Sequence, residues 1–352
     1  MDKRALRVDI LNPVSLRYWG GQEQSMVLAA RALSARGHKV GICALPYTHK
    51  GVRVQDAKLR ELLGEGISYS ESWRIPARGD IAYAAYQPMF RLFIAQSCPM
   101  IAGMHVASIH YLWNLRTAVY RMAGRWDLAG YDAVRLLNDS VSVPHRHTYR
   151  IPNWIDTHEW RPVAGKRDPF TILFVGQRDR EKGWDTFLDV SRELKSRNLP
   201  MEFWAAGGAE SVGGVSGLGY ITGEALAAAY SQAHLTVYPS RADMFSRVIM
   251  ESCACGTPVL TTPIPAHKVQ LPLLFAASTE EFTSKVMQMA DLWARRPEEY
   301  LAQAAAARQS VIDKYDVSVV VPAFERMLYE IAGNDSAARD CQEPRPARDE
   351  GS

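Results

Sequence analysis

The sequence predicts an α/β protein made of two doubly wound domains in tandem, and three observations support this prediction. A strand, a glycine turn, a helix and a second strand follow one another within residues 6–45, an order that gives parallel strands joined by a crossover helix. The same alternation starts again at Phe170. Between the two series, residues 161–169 are rich in Pro, Gly and charge, which is typical of an interdomain linker.

In the first domain, a strand is predicted at residues 6–11, where apolar and β-branched residues alternate. A helix is predicted at residues 22–36, because apolar residues recur there with helical spacing and Gly37 provides a C-terminal stop. Residues 38–45 form the next predicted strand. Further strands are predicted at residues 81–85, 100–104 and 133–137.

The second domain repeats this alternation. Strands are predicted at residues 170–175, 201–206, 235–238 and 258–261, and helices at residues 184–197, 224–232 and 246–255. Three more helices are predicted near residues 280–295, 297–313 and 317–331.

These elements divide the chain into two domains, residues 1–163 and 164–316. The helix within residues 317–333 is expected to pack back on the first domain. Residues 334–352 have almost nothing apolar to bury, so we expect a disordered tail there.

Composition excludes several classes of protein. No apolar run approaches the roughly 20 residues that span a bilayer, and the N-terminus has neither the apolar core nor the cleavage site of a secretory signal. We therefore expect a cytoplasmic protein, with the inner face of the membrane as an alternative location. The five cysteines include no CxxC pair, which favours reduced thiols over a disulfide framework or a structural zinc site.

The charge is unevenly divided. Residues 1–163 contain 21 Lys and Arg but 13 Asp and Glu, a net charge of +8, whereas the rest of the chain carries −5. A basic half suggests an anionic partner, whether phosphate, nucleic acid or a membrane face. No nucleic-acid recognition motif accompanies the charge, so we do not expect nucleic-acid binding.

Two tandem doubly wound domains place a ligand cleft between the carboxyl ends of their strands. Gly20 and Gly21 lie where a strand turns into a helix, and their amides could bind an anion; the alternative is a turn that only needs positive φ. Arg178, Arg180 and Lys182 follow the first strand of the second domain and could neutralise a diphosphate. Arg180 is equally consistent with a solvated surface position.

The segment from Tyr238 to Val259 is the most informative. A strand ends at Pro239 and Ser240, a short loop carries Asp243, and an apolar helix then places Glu251 one to two turns further on. A Glu on an apolar helix needs a partner or a polar ligand. Two carboxylates in this arrangement can hold separate groups of hydroxyls on one ligand.

These residues resemble the GT-B glycosyltransferases of family 4, the retaining, nucleotide-sugar-dependent members of glycosyl transferases group 1. The marker of that family is an acid, seven residues, then Glu, followed by a small residue and the run Ala-Cys-Gly-Thr-Pro-Val, and Asp243, Glu251 and residues 254–259 match it. Supporting matches lie at Gly20-Gly21-x-Glu23, residues 36–40, residues 151–156, residues 174–176 and residues 181–183. The resemblance extends over roughly residues 6 to 330.

The resemblance implies two Rossmann-like domains that face each other across a cleft, with the acceptor on the first domain and the donor on the second. It implies transfer of a sugar from a UDP- or GDP-sugar to a glycan or lipid-linked acceptor in polysaccharide or glycoconjugate biosynthesis. No metal or other cofactor is expected. The implied catalytic residues are Lys182, Asp243, Arg178 and His105, and the implied donor-binding residues are Gly20, Gly21, Gly176, Tyr220, Ile221, Met244, Phe245, Ser246 and Glu251.

Each implied role follows from a match to the family. Gly21 and Lys182 would hold the donor diphosphate, Glu251 the ribose hydroxyls and Asp243 the hydroxyls of the transferred sugar. Residues 244–246 would offer backbone amides nearby, and residues 219–221 lie where similar proteins cradle the nucleobase.

The sequence departs from the family at four places. Asp243 stands where Glu is most frequent, and Gln177 replaces the usual Arg after the strand glycine, with Arg178 as a possible substitute. Residues 261–270 lack the common Gly-Gly. Tyr86 or Gln87 occupies the place of a histidine near the reacting sugar.

The acceptor side is the least defined. His105 matches a second histidine position of the family and is a candidate for this side; the alternative is a structural histidine. Aromatic and Arg residues interleave along residues 110–126. They fit a glycan-stacking surface or contact with an anionic membrane, or else a core-facing helix with a solvated basic side.

Two other functions remain open. One is a GT-B-shaped nucleotide-sugar epimerase. The other is a non-catalytic partner that binds nucleotide sugars.

Overall fold

The computed structural model describes residues 4–47, 52–105 and 126–333, and all structural statements below concern these residues. The interleaved segment at residues 110–125 and the predicted tail at residues 334–352 lie outside them. No described helix is long and apolar enough to cross a membrane.

The first domain contains eleven described strands. They are β1 (Arg7–Asn12), β2 (Tyr18–Trp19), β3 (Lys39–Ala44), β4 (Val52–Arg53), β5 (Ser68–Glu71), β6 (Ile75–Ala77), β7 (Ile81–Ala85), β8 (Ile94–Gln96), β9 (Met100–Gly103), β10 (Ala133–Leu136) and β11 (Thr148–Arg150). Seven of them form a parallel sheet in the order β11-β10-β9-β7-β1-β3-β5. The order reverses between β1 and β7, and such a switch point opens a crevice at the carboxyl ends of the strands.

The second domain has six strands. They are β12 (Phe170–Val175), β13 (Met201–Ala206), β14 (Ser216–Gly219), β15 (Leu235–Tyr238), β16 (Val259–Thr261) and β17 (Leu274–Phe275). All are parallel, in the order β14-β13-β12-β15-β16-β17, with the switch point between β12 and β15. The prediction of two doubly wound α/β domains is confirmed.

Nine described α-helices flank the sheets. They are α1 (Gly21–Ala35), α2 (Asp56–Leu63), α3 (Trp184–Ser196), α4 (Gly223–Gln232), α5 (Arg247–Ala254), α6 (Pro265–Lys268), α7 (Thr279–Arg295), α8 (Pro297–Tyr315) and α9 (Val317–Ile331), and a 3₁₀ helix covers Phe90–Phe93. The central strands of both sheets are covered on both faces, since every residue of β7 and β12 is buried.

The last helix, α9, packs on the first domain. Its Val320 and Phe324 belong to the same buried cluster as Leu33 of α1. Glu325 accepts hydrogen bonds at 2.8 Å from Arg36 and from the ring of His38.

The chain crosses between the domains twice, at adjacent points. Ile155 donates its amide to the Tyr315 carbonyl (3.0 Å), and the Val317 amide donates to the Ile155 carbonyl (2.9 Å). The Thr157 hydroxyl donates to the Asp316 carboxylate (2.6 Å). The two crossing segments are therefore hydrogen-bonded to each other.

All the strands and helices predicted within the described residues are present to within two residues. The additional elements are mostly short. They include the edge strands of both sheets, β5, β11, β14 and β17, together with α2.

Candidate active site

A cleft of about 420 Å³ lies between the carboxyl ends of the two sheets, with walls from both domains. Among the residues predicted for the site, those that line it are Gly20, Gly21, His105, Gly176, Lys182, Tyr220, Ile221, Asp243, Phe245, Ser246 and Glu251. Arg178 and Met244 do not line it. The cleft also contains side chains to which the sequence assigned no role, including Asn153, Trp160 and Arg247.

Helix α1 presents its N-terminus to the cleft. Gly20 is its N-terminal cap with extended backbone (φ −144°), and as a glycine it has no side chain to cap the first turn. Neither Gly20 nor Gly21 has positive φ, so the strained-turn explanation of the pair is wrong. A Cβ on Gly21 would meet nothing within 4 Å. The glycine therefore leaves space over the first-turn amides, where an anion would bind.

Lys182 and Asp243 meet at the centre of the second-domain wall. The Lys182 ammonium lies 3.8 Å from Asp243 Oδ2 and 3.4 Å from the Ala242 carbonyl, and the Lys182 side chain is 27% exposed. Burial would lower the pKa of the Lys182 amine, but Tyr238 and Asp243 outweigh it and raise that pKa above its usual value. Lys182 is therefore a cation throughout the physiological pH range.

Asp243 is held as an anion. It accepts a hydrogen bond from the Tyr238 hydroxyl (2.8 Å) and one from the Met244 amide (3.0 Å). Burial alone would raise the pKa of the Asp243 carboxyl, but the charge of Lys182 and the contacts with His267 and Tyr238 lower it to about 2.

His267 lies behind the cleft wall, close to Asp243. It is fully buried on the short helix α6, and its Nε2 lies 3.9 Å from Asp243 Oδ2. Its Nδ1 lies 2.9 Å from the Thr261 hydroxyl and 3.1 Å from the Thr262 carbonyl. The Thr261 hydroxyl donates its own proton to the Tyr238 carbonyl, so Nδ1 is the donor and Nε2 faces the carboxylate. The Pro-rich loop that replaces the family's Gly-Gly thus brings an imidazole to Asp243.

Two glycines shape the loop that carries Lys182. Gly176 has φ +148° and Gly183 has φ +77°. A Cβ on Gly183 would lie 2.1 Å from the Pro239 carbonyl oxygen. Glycine at this position therefore allows the Lys182 loop to pack against the loop that carries Asp243.

Arg241 joins the same two loops. Its guanidinium donates forked hydrogen bonds to the Asp185 carboxylate at 2.6 and 3.0 Å, and its amide donates to the Glu181 carbonyl at 2.8 Å. Lys182 directly follows Glu181, and Asp243 lies two residues after Arg241. Arg241 therefore sets the separation of the two charged side chains.

Arg241→Ala is expected to lower catalytic turnover about tenfold, because a displacement of the loops by a fraction of an ångström weakens catalytic positioning. Stability should change by less than about 1 kcal/mol, because the Arg241–Asp185 pair is half-exposed and screened by solvent. Steady-state kinetics and thermal unfolding measure the two effects. Arg180→Ala is the matched control: its guanidinium lies 4.0 Å from the same Asp185 carboxylate and is 89% exposed, so equal losses in both variants would contradict this role for Arg241.

Glu251 lies one turn into α5 and is buried. It accepts a hydrogen bond from Arg247 Nη2 (2.9 Å) and a longer one from the Tyr230 hydroxyl (3.4 Å). Burial raises the pKa of the Glu251 carboxyl, and Arg247 only partly opposes this effect. The signal for Arg247 in the sequence was its i,i+4 spacing to Glu251, which places both on one helix face.

The backbone amides of residues 244–246 are largely occupied. The Met244 amide donates to the Asp243 carboxylate, and the Ser246 amide donates to the Gln270 side chain (3.1 Å), whose NH₂ donates back to the Ser246 carbonyl (2.7 Å). The Met244 carbonyl accepts a hydrogen bond from Asn138 of the first domain (2.6 Å). These hydrogen bonds mainly hold the loop that precedes α5 in place.

Arg178 does not enter the cleft. Its guanidinium donates to the Gly208 carbonyl (2.7 Å) and the Glu210 carbonyl (2.5 Å) and stacks 4.8 Å from the centre of the Trp184 ring. Gln177 lines the cleft in its place. In this structure Lys182 is therefore the one cation that the loop after β12 brings into the cleft.

His105 lies on the first-domain wall. Its Nε2 is 2.8 Å from the Tyr83 hydroxyl, which accepts a hydrogen bond from the buried Arg135 (2.9 Å). Because a guanidinium has only donors, the Tyr83 proton is available to Nε2, which leaves the His105 proton on Nδ1. Burial and the charge of Arg135 hold the pKa of His105 well below its usual range, so the ring is neutral. Gly103 permits the contact, since a Cβ there would lie 2.1 Å from the Tyr83 hydroxyl oxygen.

Tyr86 does not replace the missing histidine. It is 1% exposed and packs edge-on against Tyr131 in the core. Within the described ranges, no group of three or more His, Cys, Asp or Glu side chains is arranged to bind a metal ion.

A family model described as Glycosyl transferases group 1 matches residues 169–291. The alpha-galactosylglucosyldiacylglycerol synthase of Streptococcus pneumoniae is 22% identical over 181 residues, which are 42% of this chain and 47% of that protein. The chain thus aligns with about half the length of this curated relative.

Solved structures share the fold over nearly the whole chain. The sucrose-phosphate synthase of Thermosynechococcus elongatus is 16% identical, with a TM-score of 0.70 over 94% of this chain and 100% of that chain. Anabaena HepE in complex with UDP-glucose is 13% identical, with a TM-score of 0.69 over 92% and 100%. The pneumococcal O-GlcNAc transferase GtfA in complex with UDP and GlcNAc is 10% identical, with a TM-score of 0.64 over 93% and 99%.

Two Rossmann-like domains that face each other across a cleft define the GT-B fold, and the structural neighbours share it. The chain shares this fold, and residues 169–291 of its second domain match the family model of the group 1 glycosyl transferases.

Proposed function

We propose that the protein is a retaining glycosyltransferase that transfers a sugar from a UDP- or GDP-sugar to a glycan or lipid-linked acceptor. The observation that carries this proposal is the Lys182–Asp243 pair, a permanent cation and a permanent anion 3.8 Å apart in the interdomain cleft. A nucleotide sugar needs both: a cation for its diphosphate and an acceptor for its sugar hydroxyls.

In the proposed reaction, one bond to the anomeric carbon breaks and one forms. The bond to the diphosphate oxygen breaks and its electron pair stays on the diphosphate. The acceptor hydroxyl attacks from the same face, and its proton passes to the leaving phosphate oxygen. Lys182 stabilises the negative charge that develops on the leaving group, which is the kind of preorganised electrostatic interaction that contributes most to catalysis.

The comparisons support UDP as the first donor to test. HepE was solved with UDP-glucose and GtfA with UDP and GlcNAc. The pneumococcal synthase is named for a glycosylated diacylglycerol, which supports a lipid-linked acceptor.

The test is to incubate the purified full-length protein with UDP-, GDP- and ADP-sugars, with and without glycan and glycolipid acceptors. We expect nucleotide release from a UDP- or GDP-sugar and an NMR spectrum that shows retained anomeric configuration. An inverted product would refute the retaining mechanism. A mass-neutral change of the sugar without an acceptor would indicate an epimerase, and thermal stabilisation by a nucleotide sugar without turnover in any combination would indicate a non-catalytic partner.

We also propose that the first domain contacts an anionic membrane. Its exposed apolar side chains include Met89, Leu92 (65% exposed) and Phe93 of the 3₁₀ helix segment and Trp126 (75% exposed). The two segments are adjacent, because the Met89 amide donates to the Asp127 carboxylate (3.2 Å). Apolar side chains on a domain of net charge +8 suit an anionic interface.

Leu92→Glu combined with Phe93→Glu is expected to reduce co-sedimentation with phosphatidylcholine vesicles that contain phosphatidylglycerol by about tenfold, since two apolar contacts are lost and two negative charges are added. Leu301→Glu is the matched control, because Leu301 is a 50% exposed leucine on α8 of the second domain. Equal binding by both variants and the wild type would contradict the membrane contact.

A further inference from the structure

Arg247 is the one charged side chain of the cleft wall whose donors are largely unused among the described residues. Its side chain is 11% exposed and forms one hydrogen bond, from Nη2 to Glu251. Its Nε and Nη1 are buried and have no hydrogen-bond partner in the described protein. Buried polar atoms of native proteins are nearly always paired, so these two donors call for a partner that the protein itself does not supply.

The position of Arg247 indicates which part of a ligand would supply that partner. Glu251 is the expected ribose ligand and Asp243 the expected ligand of the transferred sugar. Arg247 lies between them along the chain and shares the helix face of Glu251. In a nucleotide sugar, the group between the ribose and the sugar is the diphosphate.

The charges in the cleft also indicate the diphosphate as the partner of Arg247. The wall contains two anions, Asp243 and Glu251, and Lys182 is paired with the first of them. Glu251 contacts Arg247 through Nη2 alone, so Nε and Nη1 of the guanidinium have no acceptor among the described residues. A bound diphosphate adds negative charge that Lys182 alone does not balance.

The loop after β12 does not provide a second cation. Gln177, which lines the cleft where the family's pattern has arginine, is uncharged, and Arg178 is held by the Gly208 and Glu210 carbonyls. On these observations we infer that Arg247 is a second diphosphate-binding cation and replaces the arginine missing at position 177. This inference rests on the proposed function, because it assumes a nucleotide diphosphate donor.

The test is the binding of UDP, UMP and uridine, and of GDP, GMP and guanosine, by titration calorimetry in metal-free buffer. Arg247→Met should weaken binding of the diphosphate about 10- to 100-fold, the usual effect of losing a charge-assisted hydrogen bond, and leave nucleoside binding within about twofold. Arg247→Lys should keep part of the affinity. Arg178→Met is the matched control and should bind the diphosphate as the wild type does.

A compensating change makes the test specific. Gln177→Arg added to Arg247→Met should restore at least part of the lost affinity for the diphosphate. If Arg247→Met fails to fold because Glu251 is left buried without its cation, Arg247→Met with Glu251→Gln is compared with Glu251→Gln alone, and the same loss is expected.

The outcomes separate this inference from the proposed function. Equal weakening of nucleoside and diphosphate, or the same loss in Arg178→Met, would overturn the role of Arg247 while leaving the transferase intact. The role of Arg247 would also be overturned if the wild-type protein binds and turns over a donor and Arg247→Met binds the diphosphate with the same affinity. A wild-type protein that binds none of the nucleotides would overturn both.

Discussion

Lys182→Ala is expected to reduce the rate of nucleotide release from the best donor by about 10²- to 10³-fold, the loss usually seen when one preorganised electrostatic contact to a developing charge is removed. The reason is that Lys182 is a permanent cation next to Asp243. Single-turnover kinetics with saturating donor measure the chemical step separately from binding.

Lys195→Ala is the control for this variant. Lys195 is an exposed residue near the other end of α3, the helix that begins directly after the Lys182 loop, so its loss should leave the rate within about twofold. If Lys182→Ala releases nucleotide as fast as the wild type does, the proposed function is wrong.

Asp243→Asn is expected to lower kcat by about 10²-fold, since it removes a charged hydrogen-bond acceptor worth about 3 kcal/mol at most. The nucleotide alone should bind normally, because the expected contact of Asp243 is with the sugar. Binding of UDP and of a UDP-sugar, measured side by side, should show that the sugar no longer adds affinity. Asp189→Asn, an exposed site on α3, is the control, and an unchanged increment from the sugar in Asp243→Asn would refute its role.

Asp243 also links stability to pH. Its pKa falls from 3.8 to about 2 in the folded protein, so the carboxylate stabilises the fold above about pH 4, and this contribution is lost as the pH falls towards 2. The contribution at neutral pH is about 2 kcal/mol. The free energy of unfolding of Asp243→Asn should therefore lie below that of the wild type at pH 7, and the two should converge between pH 4 and 2.

The central strands could be predicted from the sequence because both of their faces are buried. Ile81–Ala85 is an uninterrupted apolar run, and Phe170–Val175 is interrupted only by Thr171. Their short length and the turn signals that bound them favour buried parallel strands. The edge strand Ser68–Glu71 is polar and half-exposed. Its pairing depends on the neighbouring strand rather than on its own pattern, and no local signal reveals it.

The residues of the candidate site also include some that the sequence could place and others that it could not. Positions fixed by a strand end and a loop length, such as Lys182 and Asp243, could be placed in the cleft from the motif alone. Side-chain direction could not be predicted: Arg178 follows β12 and Arg247 begins α5, but only the structure shows that carbonyls hold Arg178 away from the cleft. The His267 contact depends on the course of a loop over residues 262–267, which the sequence describes only as unusual.

The return of α9 to the first domain has a consequence for experiments that divide the molecule. The first folding unit is discontinuous in sequence, and the second is inserted into it between the two crossings at Ile155 and Asp316. A fragment that stops at the linker would lack Phe324, which packs against Trp154 and Tyr83, and would expose the apolar surface that α9 covers. Chimaeras that exchange donor specificity between relatives should therefore transplant residues 158–315 as an internal cassette and keep α9 from the parent that supplies residues 6–155.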